Sequence, residues 1–426
     1  MDKNSLFEEE KYLVRPSLVK IKSTLIVEGK GAIVTDIDGN QYIDNTAGAM
    51  ALPLGHSHPH VVEAIKNQAE KIMQLTLIQT NIPAIKLAAK IANLSPGRLK
   101  KVFYAVGGSE AIEASIKMAR QFTGKHEIVA LRYSFHGLGF GSVAATGMST
   151  MKTGWGPTLP GVLHAVAPYC YRCPFAQEYP DCNIRCADDI EEVIRFDSTG
   201  DVAAVLLEPM LGAGGAIIPP KEYMVKVRKI CDRNGLLLIV DEIQTGFGRT
   251  GKMFAIEHYD VEPDLMVLGK AVGGGLPCSA VVTREEIIEK FKSYIYTFAG
   301  NALVCAAGLA TLEIIEKENL PKKAYELGRY MEDEFSDFSK KSKLIGDVRI
   351  KGVWGGIELV KDKKTKVPAV EEATKVVDKL LEKKILTFPP SGVLGNVIRI
   401  MCPLTITNDQ IETLIEKIKE AILEVS

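Results

Sequence analysis

The stretch LLLIVDEIQTGFGRTGKMFA (residues 236–255), followed shortly by PDLMVLGKAVGGGLP (residues 263–277), decides the fold. Each half opens with a short, unbroken apolar run, and each run leads to a charge. Asp241 comes directly after LLLIV, and Lys270 two residues after LMVL. Apolar runs of this length without polar alternation predict strands buried on both faces, as in a parallel sheet with helices packed on either side. KVFYAV (101–106), EIVAL (127–131) and VAAVLL (202–207) repeat the pattern. The intervening SEAIEASIKMARQF and KEYMVKVRKICDRNG have the periodicity of amphipathic helices. The expected fold is therefore α/β: a large domain over residues 59–318, with a mostly parallel central sheet flanked by helices. Beyond residue 319 the texture changes to charged amphipathic helices separated by the strand-like VWGGIELV and VIRIM, which predicts a smaller α+β domain over 319–426. Residues 1–58, with the strand candidates GAIVTDIDG and QYIDNT, are expected to join that smaller domain.

A chain of 426 residues, 46% of them hydrophobic, can bury a large core without a metal staple. Lys plus Arg (52) nearly balance Asp plus Glu (53), so there is no basic field to collect a phosphate backbone, and no nucleic-acid partner is expected. MDKNSLFEEEKY at the start is polar, and the longest apolar runs are too short to cross a bilayer. The expectation is a cytoplasmic protein with no membrane partner. Eight cysteines in this length are too few for a secreted disulfide framework.

In an open parallel sheet, ligands gather at the carboxyl ends of the strands. Gly107-Gly108-Ser109, Phe135-His136, Glu208, Asp241 and Lys270 all occupy such positions. Singly, most have a bland explanation: glycines cap helices, a phenylalanine packs, and Glu208 is an ordinary strand-end charge. Asp241 and Lys270 do not, because the end of a buried strand is a costly place for an unpartnered charge. GFGRTGK (246–252) imitates a nucleotide loop and fails on physics. Met253 stands where a P-loop needs a hydroxyl for Mg²⁺, and DEIQT separates the glycines from their strand. A phosphate cradle, an aromatic plate, an acid and a lysine on one edge suit pyridoxal 5'-phosphate (PLP). Its ring nitrogen needs an acidic partner, its aldehyde an amine and its phosphate an anchor.

At these residues the chain resembles the class III, or ω-type, PLP-dependent aminotransferases, fold-type I enzymes related to 4-aminobutyrate and ornithine aminotransferases. The resemblance runs from QYIDNTAGAMALPLGHSHPHVVEAI through GGSEAIEASIKMAR, SFHG, the two opening segments and TFAGNALVCAAG to NVIRIMCPLTIT. It implies that Lys270 binds the cofactor covalently and that Asp241 holds its ring nitrogen protonated. Gln244 contacts the phenolic oxygen, Phe135 stacks on the ring, and Gly108 and Ser109 bind the phosphate. Thr297 reaches the phosphate of a neighbouring subunit, which implies a homodimer with shared active sites. Arg399 grips a substrate carboxylate, with Glu208 near it. The implied reaction is a ping-pong transfer of an amino group from an amino acid or ω-amino acid to an oxo acid, 2-oxoglutarate or pyruvate. Three positions depart from the 4-aminobutyrate pattern: Leu138 in place of an arginine, Ala213 in place of a second acid, and Ala49 in place of the glutamine of dialkylglycine decarboxylases. Racemases or epimerases of the same family, and that decarboxylase, therefore stay open as alternatives.

PYCYRCPFAQEYPDCNIRC (168–186) places Cys170, Cys173, Cys182 and Cys186 within seventeen residues. Three states are open for this excursion from the large domain: a structural Zn²⁺, disulfides, or free thiols. Its spacing is shorter than in common zinc ribbons, and no metal is assigned to the active site. The alternating His56, His58 and His60 are expected to pack a loop rather than bind metal. Cys231, Cys278, Cys305 and Cys402 are expected to behave as buried small hydrophobes.

Overall fold

The computed structural model describes residues 3–14, 24–292 and 295–426. Three short strands come first: β1 (Ile26–Lys30), β2 (Ile33–Asp36) and β3 (Gln41–Asp44). Seven more build the central sheet: β4 (Lys101–Ala105), β5 (Glu127–Leu131), β6 (Val162–Ala165), β7 (Val202–Leu207), β8 (Leu237–Asp241), β9 (Leu265–Leu268) and β10 (Ser279–Thr283). Their spatial order is β4-β10-β9-β8-β7-β5-β6. All five of the apolar runs read from sequence are strands of this sheet. Pairing is parallel from β6 across to β9, whereas β10 runs antiparallel to both β9 and β4. The reversal has a simple cause: the chain between β9 and β10 is too short for the crossover that a parallel partner needs.

Alternate residues of each strand enter different cores. Ile128, Ala130, Leu206, Ile239 and Val267 pack with Ala111, Ile112 and Met118 of the helix Gly108–Thr123. Val129, Leu131, Val205, Leu238, Val240 and Met266 join the larger cluster, which includes Met224 and Val227 of the helix Lys221–Asn234. With every residue of β5, β7, β8, β9 and β10 buried, the sheet is covered on both faces.

The C-terminal part contributes β11 (Ile345–Lys351), β12 (Trp354–Leu359), β13 (Ile385–Leu386) and β14 (Val397–Ile400). β11, β12 and β14 form an antiparallel sheet in that order, while β13 runs parallel to β3 and so completes a sheet with β1 and β2. Around them lie the helices Leu320–Lys341, Val370–Glu382 and Asn408–Val425. The last begins with a capping box in which Thr407 and Gln410 satisfy each other's free backbone N–H. No helix among the described residues is long and apolar enough to cross a membrane.

The cysteine-rich excursion is docked by charge. Tyr169 and Arg172 both donate to the carboxylate of Glu358 on β12, a side chain with no solvent exposure. Arg349 also donates to Glu358, at 2.9 Å, and reaches the carbonyl oxygens of Gly215 (2.7 Å) and Ala216 (3.1 Å). One buried carboxylate thus ties the excursion, the C-terminal sheet and the loop after β7 together, with three donors to offset its desolvation. No disulfide links the four cysteines of the excursion, which line one small cavity of about 20 Å³. Among the described residues no three His, Cys, Asp or Glu side chains are grouped so that they could hold a metal ion. His56 pairs with Asp44 at 2.8 Å and His60 with Glu313 at 2.9 Å, so these two histidines turn to different partners. Cys231, Cys278, Cys305 and Cys402 are buried.

Candidate active site

Register brings the strand-end residues together. Leu207 pairs with Val240, and Asp241 with Val267, so the chain leaves β7, β8 and β9 at the same edge. The helix Gly108–Thr123 starts at that edge, directly after β4. The result is a cavity of about 270 Å³ whose wall includes Gly108, Ser109, Phe135, Glu208, Asp241, Gln244 and Lys270. His136, Gly137, Leu138 and Ile243 complete it.

Lys270 has a φ of 47° in the left-handed region, which costs a non-glycine residue on the order of 1–3 kcal/mol and occurs chiefly where function demands it. The preceding Gly269 has no room for a side chain without pressing on Ile243. Burial holds the Lys270 amine below its ordinary pKa. The cations of Arg399 and Arg249 act in the same direction, while Asp241 and Glu208 oppose. An amine so placed gives up its proton far more readily than a surface lysine.

Asp241 is 3% exposed. Its Oδ2 lies 2.8 Å from His136 Nδ1, and its Oδ1 accepts the Ile243 N–H at 3.0 Å. A carboxylate only accepts, so when Asp241 is ionised His136 Nδ1 is the donor of this contact, and the fully buried ring holds the acid in place. Sequence reasoning placed His136 at this edge without assigning it a partner.

Glu208 accepts the Phe135 N–H at 2.9 Å and the Gly212 N–H at 2.7 Å. Burial pushes its pKa up to about 7, against the opposing pull of His136 and the two backbone donors. It braces two loops of the cavity wall and forms no ion pair with Arg399.

Gln244 accepts on Oε1 from both Trp354 Nε1 (3.1 Å) and Arg399 Nη2 (2.6 Å). Arg399, on β14, is 8% exposed; among the described residues it forms no ion pair, and its buried Nε makes no hydrogen bond. Burial lowers its pKa to about 10. Trp354 was not among the residues expected from sequence. The sequence carries no signal for it, since finding it needs the register that pairs Gly356, two residues further on, with Arg399.

At the phosphate end of the expected site, Ser109 Oγ accepts the Leu138 N–H at 3.1 Å, which leaves its own hydrogen free to donate. A side chain at Gly137, whose φ is 122°, would overlap Ser109 Oγ. Thr297 is not on the wall of this cavity; it is exposed, and its carbonyl accepts from Gln74 at 2.6 Å. Leu138, at the rim, is 44% exposed.

Directly behind Asp241, Glu242 is fully buried and binds the Thr245 hydroxyl and the Ile256 N–H at 2.7 Å. Burial raises its pKa from the ordinary 4.5 to about 7, with those two hydrogen bonds opposing. A folded-state value above the unfolded one means that the contribution to stability is complete below about 4.5 and is lost as pH rises through about 7. The Glu242 contribution to melting temperature is therefore expected to fall between about pH 5 and about pH 8, while His164 and His258, whose pKa burial lowers to about 4, act with the opposite sign over the lower part of that range. Across it, the melting temperature of Glu242→Gln should rise relative to that of the wild type, and an equal slope in both proteins would contradict this assignment. Glu208 acts with the same sign as Glu242 in both proteins and leaves that difference intact.

The cavity suits a flat, anionic ring compound. It has a helix start and a free hydroxyl at one end, a buried acid and an amine with lowered pKa across it, and an aromatic side chain on its wall. Comparisons with known proteins agree. The model of the family "Aminotransferase class-III" matches residues 16–422. The chain is 38% identical to isoleucine 2-epimerase of Lentilactobacillus buchneri over 97% of its own length and 93% of that protein's. It is 37% identical to a probable 4-aminobutyrate aminotransferase of Bacillus subtilis, over 90% and 89%. An amine transaminase from an uncultivated Pseudomonas species, crystallised in its PLP-bound form, superposes with a TM-score of 0.91 at 29% identity, covering 97% and 99% of the two chains. The chain belongs to the class-III aminotransferase family and is an enzyme that uses pyridoxal phosphate.

Proposed function

We propose that this protein moves the amino group of an amino acid or ω-amino acid with an uncharged side chain to an oxo acid, 2-oxoglutarate or pyruvate, in two half-reactions. The observation that carries the reading is the placement of Lys270 and Asp241 on one cavity, with the guanidinium of Arg399, in no ion pair among the described residues, bonded to Gln244 of its wall. PLP, when bound, withdraws electrons from the substrate's α-carbon and makes its hydrogen acidic. Lys270 Nζ, whose hold on its proton is weakened by burial, takes up that proton and returns it. Asp241, fixed by His136, keeps a proton on the ring nitrogen. Gly108 and Ser109 anchor the phosphate, Phe135 covers the ring, and Gln244 donates to the phenolic oxygen. Arg399 binds the substrate carboxylate with its free Nε edge, and Glu208 keeps the wall closed beneath it. Leu138 at the rim supplies no cation for a second carboxylate.

The proposal includes a homodimer in which Thr297 reaches the partner's phosphate. Supporting it, Ile78, Ile82 and Ile85 are 70%, 68% and 55% exposed, a large apolar surface for a monomer. This segment is tied to the loop that carries Thr297 through Gln74 and through Asn81, which donates to the Gly300 carbonyl. The reading also keeps the division at residues 58/59 and 318/319, supported by the pairing of β3 with β13, and a cytoplasmic location.

One observation favours a second reading, racemisation: the 38% identity to an isoleucine 2-epimerase over nearly the whole chain. Incubating single L-amino acids with and without an oxo acid separates the two. Amino transfer that depends on the oxo acid is expected. Loss of optical activity without an oxo acid, and no transfer when one is added, would replace the proposal with the second reading.

A further inference from the structure

Gln244 faces two groups that can only donate. The Trp354 indole N–H lies 3.1 Å from its Oε1, and the Arg399 guanidinium 2.6 Å from the same atom. Neither an indole nor a guanidinium can accept, so the oxygen of this amide is oriented toward them and its NH₂ toward the cavity it lines. Both lone pairs of Oε1 are then in use. The backbone at Gly212 closes a third side, where any side chain would overlap the amide.

The arrangement follows from strand geometry. Arg399 on β14 pairs with Gly356 on β12, and Trp354 precedes Gly356 by two residues, which puts it on the same face and diagonal to Arg399. Gly356 has no side chain to separate the two. Trp354 is fully buried, so its N–H has no water to turn to and Gln244 satisfies it.

We infer that Trp354 is a positioning residue for the PLP reaction: it pins Gln244 so that the amide keeps donating into the cavity even when Arg399 turns to a substrate carboxylate. This rests on the proposed roles of Gln244 and Arg399. Without the indole, Arg399 is the sole polar restraint on Gln244 among the described residues, and a carboxylate that recruits Arg399 competes with that restraint. Binding a carboxylate then costs the amide its orientation, a penalty that the wild-type protein avoids.

The test uses holoenzyme of the wild type, Trp354→Phe, Gln244→Ala and the double variant. Two quantities are read: the Kd of butyrate, from the change in the cofactor's visible band, and kcat and KM for an amino acid and for a simple amine lacking a carboxylate. For Trp354→Phe, a rise of about 3- to 10-fold in butyrate Kd and in amino-acid KM is expected, the effect of one neutral hydrogen bond. Amino-acid kcat, and both constants for the simple amine, should stay within about twofold. In the Gln244→Ala background the Trp354 substitution should add nothing. Equal losses for both substrates, or full additivity in the double variant, would overturn the inference and leave Trp354 a packing residue. If Trp354→Phe does not fold, Gln244→Ala, which removes the amide that competes for Arg399, must leave butyrate Kd unchanged or lower it, and a raised Kd would overturn the inference. Failure of the wild-type protein to take up PLP is a separate outcome that removes the proposed function itself.

Discussion

Lys270→Ala is expected to lower turnover by about 10⁴-fold, the upper range for loss of a group that carries a proton in the rate-limiting step. The substitution removes the amine that lines the cavity and leaves every other wall residue in place. Among the described residues the Lys270 amine has no hydrogen-bond or ion-pair partner, and its left-handed backbone is relieved only in part by alanine. Stability should therefore change little while activity collapses. The visible absorbance that depends on covalent attachment of the cofactor should vanish, even though the phosphate anchor at Gly108 and Ser109 is retained. A Lys270→Ala protein with more than about a tenth of wild-type turnover would contradict the role assigned to this residue.

Asp241→Asn should have the next largest effect, a fall in kcat on the order of 10²–10³-fold, typical of removing one preorganised charge from a buried site. Asparagine keeps the shape and can still accept from His136 Nδ1 and from the Ile243 N–H. What it loses is the negative charge that holds a proton on the ring nitrogen. Asp241→Glu retains the charge but displaces it within a wall that is 3% exposed, and should recover only part of the loss. If Asp241→Asn supports wild-type kcat, protonation of the ring is not what this side chain supplies.

The fold was legible in apolar runs such as VAAVLL and LLLIV, both of which are central strands, but not in β10, whose SAVVT is buried throughout yet was not read as a strand. β6 and β13 escaped notice because they are short edge elements with too few residues to carry a period. Asp241 and Lys270 were visible for a physical reason, since a buried strand end does not tolerate an isolated charge. Arg399 was different: nothing in VIRIM marks the arginine as a ligand group, and only the resemblance singled it out. Trp354 and the His136–Asp241 pair depend on which residues face each other across strands and loops, and register is not written in a single sequence. The cysteine spacing pointed in several directions at once. The chain holds those thiols around one small cavity, next to Tyr169 and Arg172, and the buried carboxylate of Glu358 anchors that end of the loop.

The central claim is that this cavity holds PLP through Lys270. Reduction of the holoenzyme with borohydride, followed by proteolysis and mass spectrometry, tests it most directly. A pyridoxyl mass on the peptide containing Lys270 is the result expected here; an unmodified Lys270, or the label on any other lysine, would contradict it.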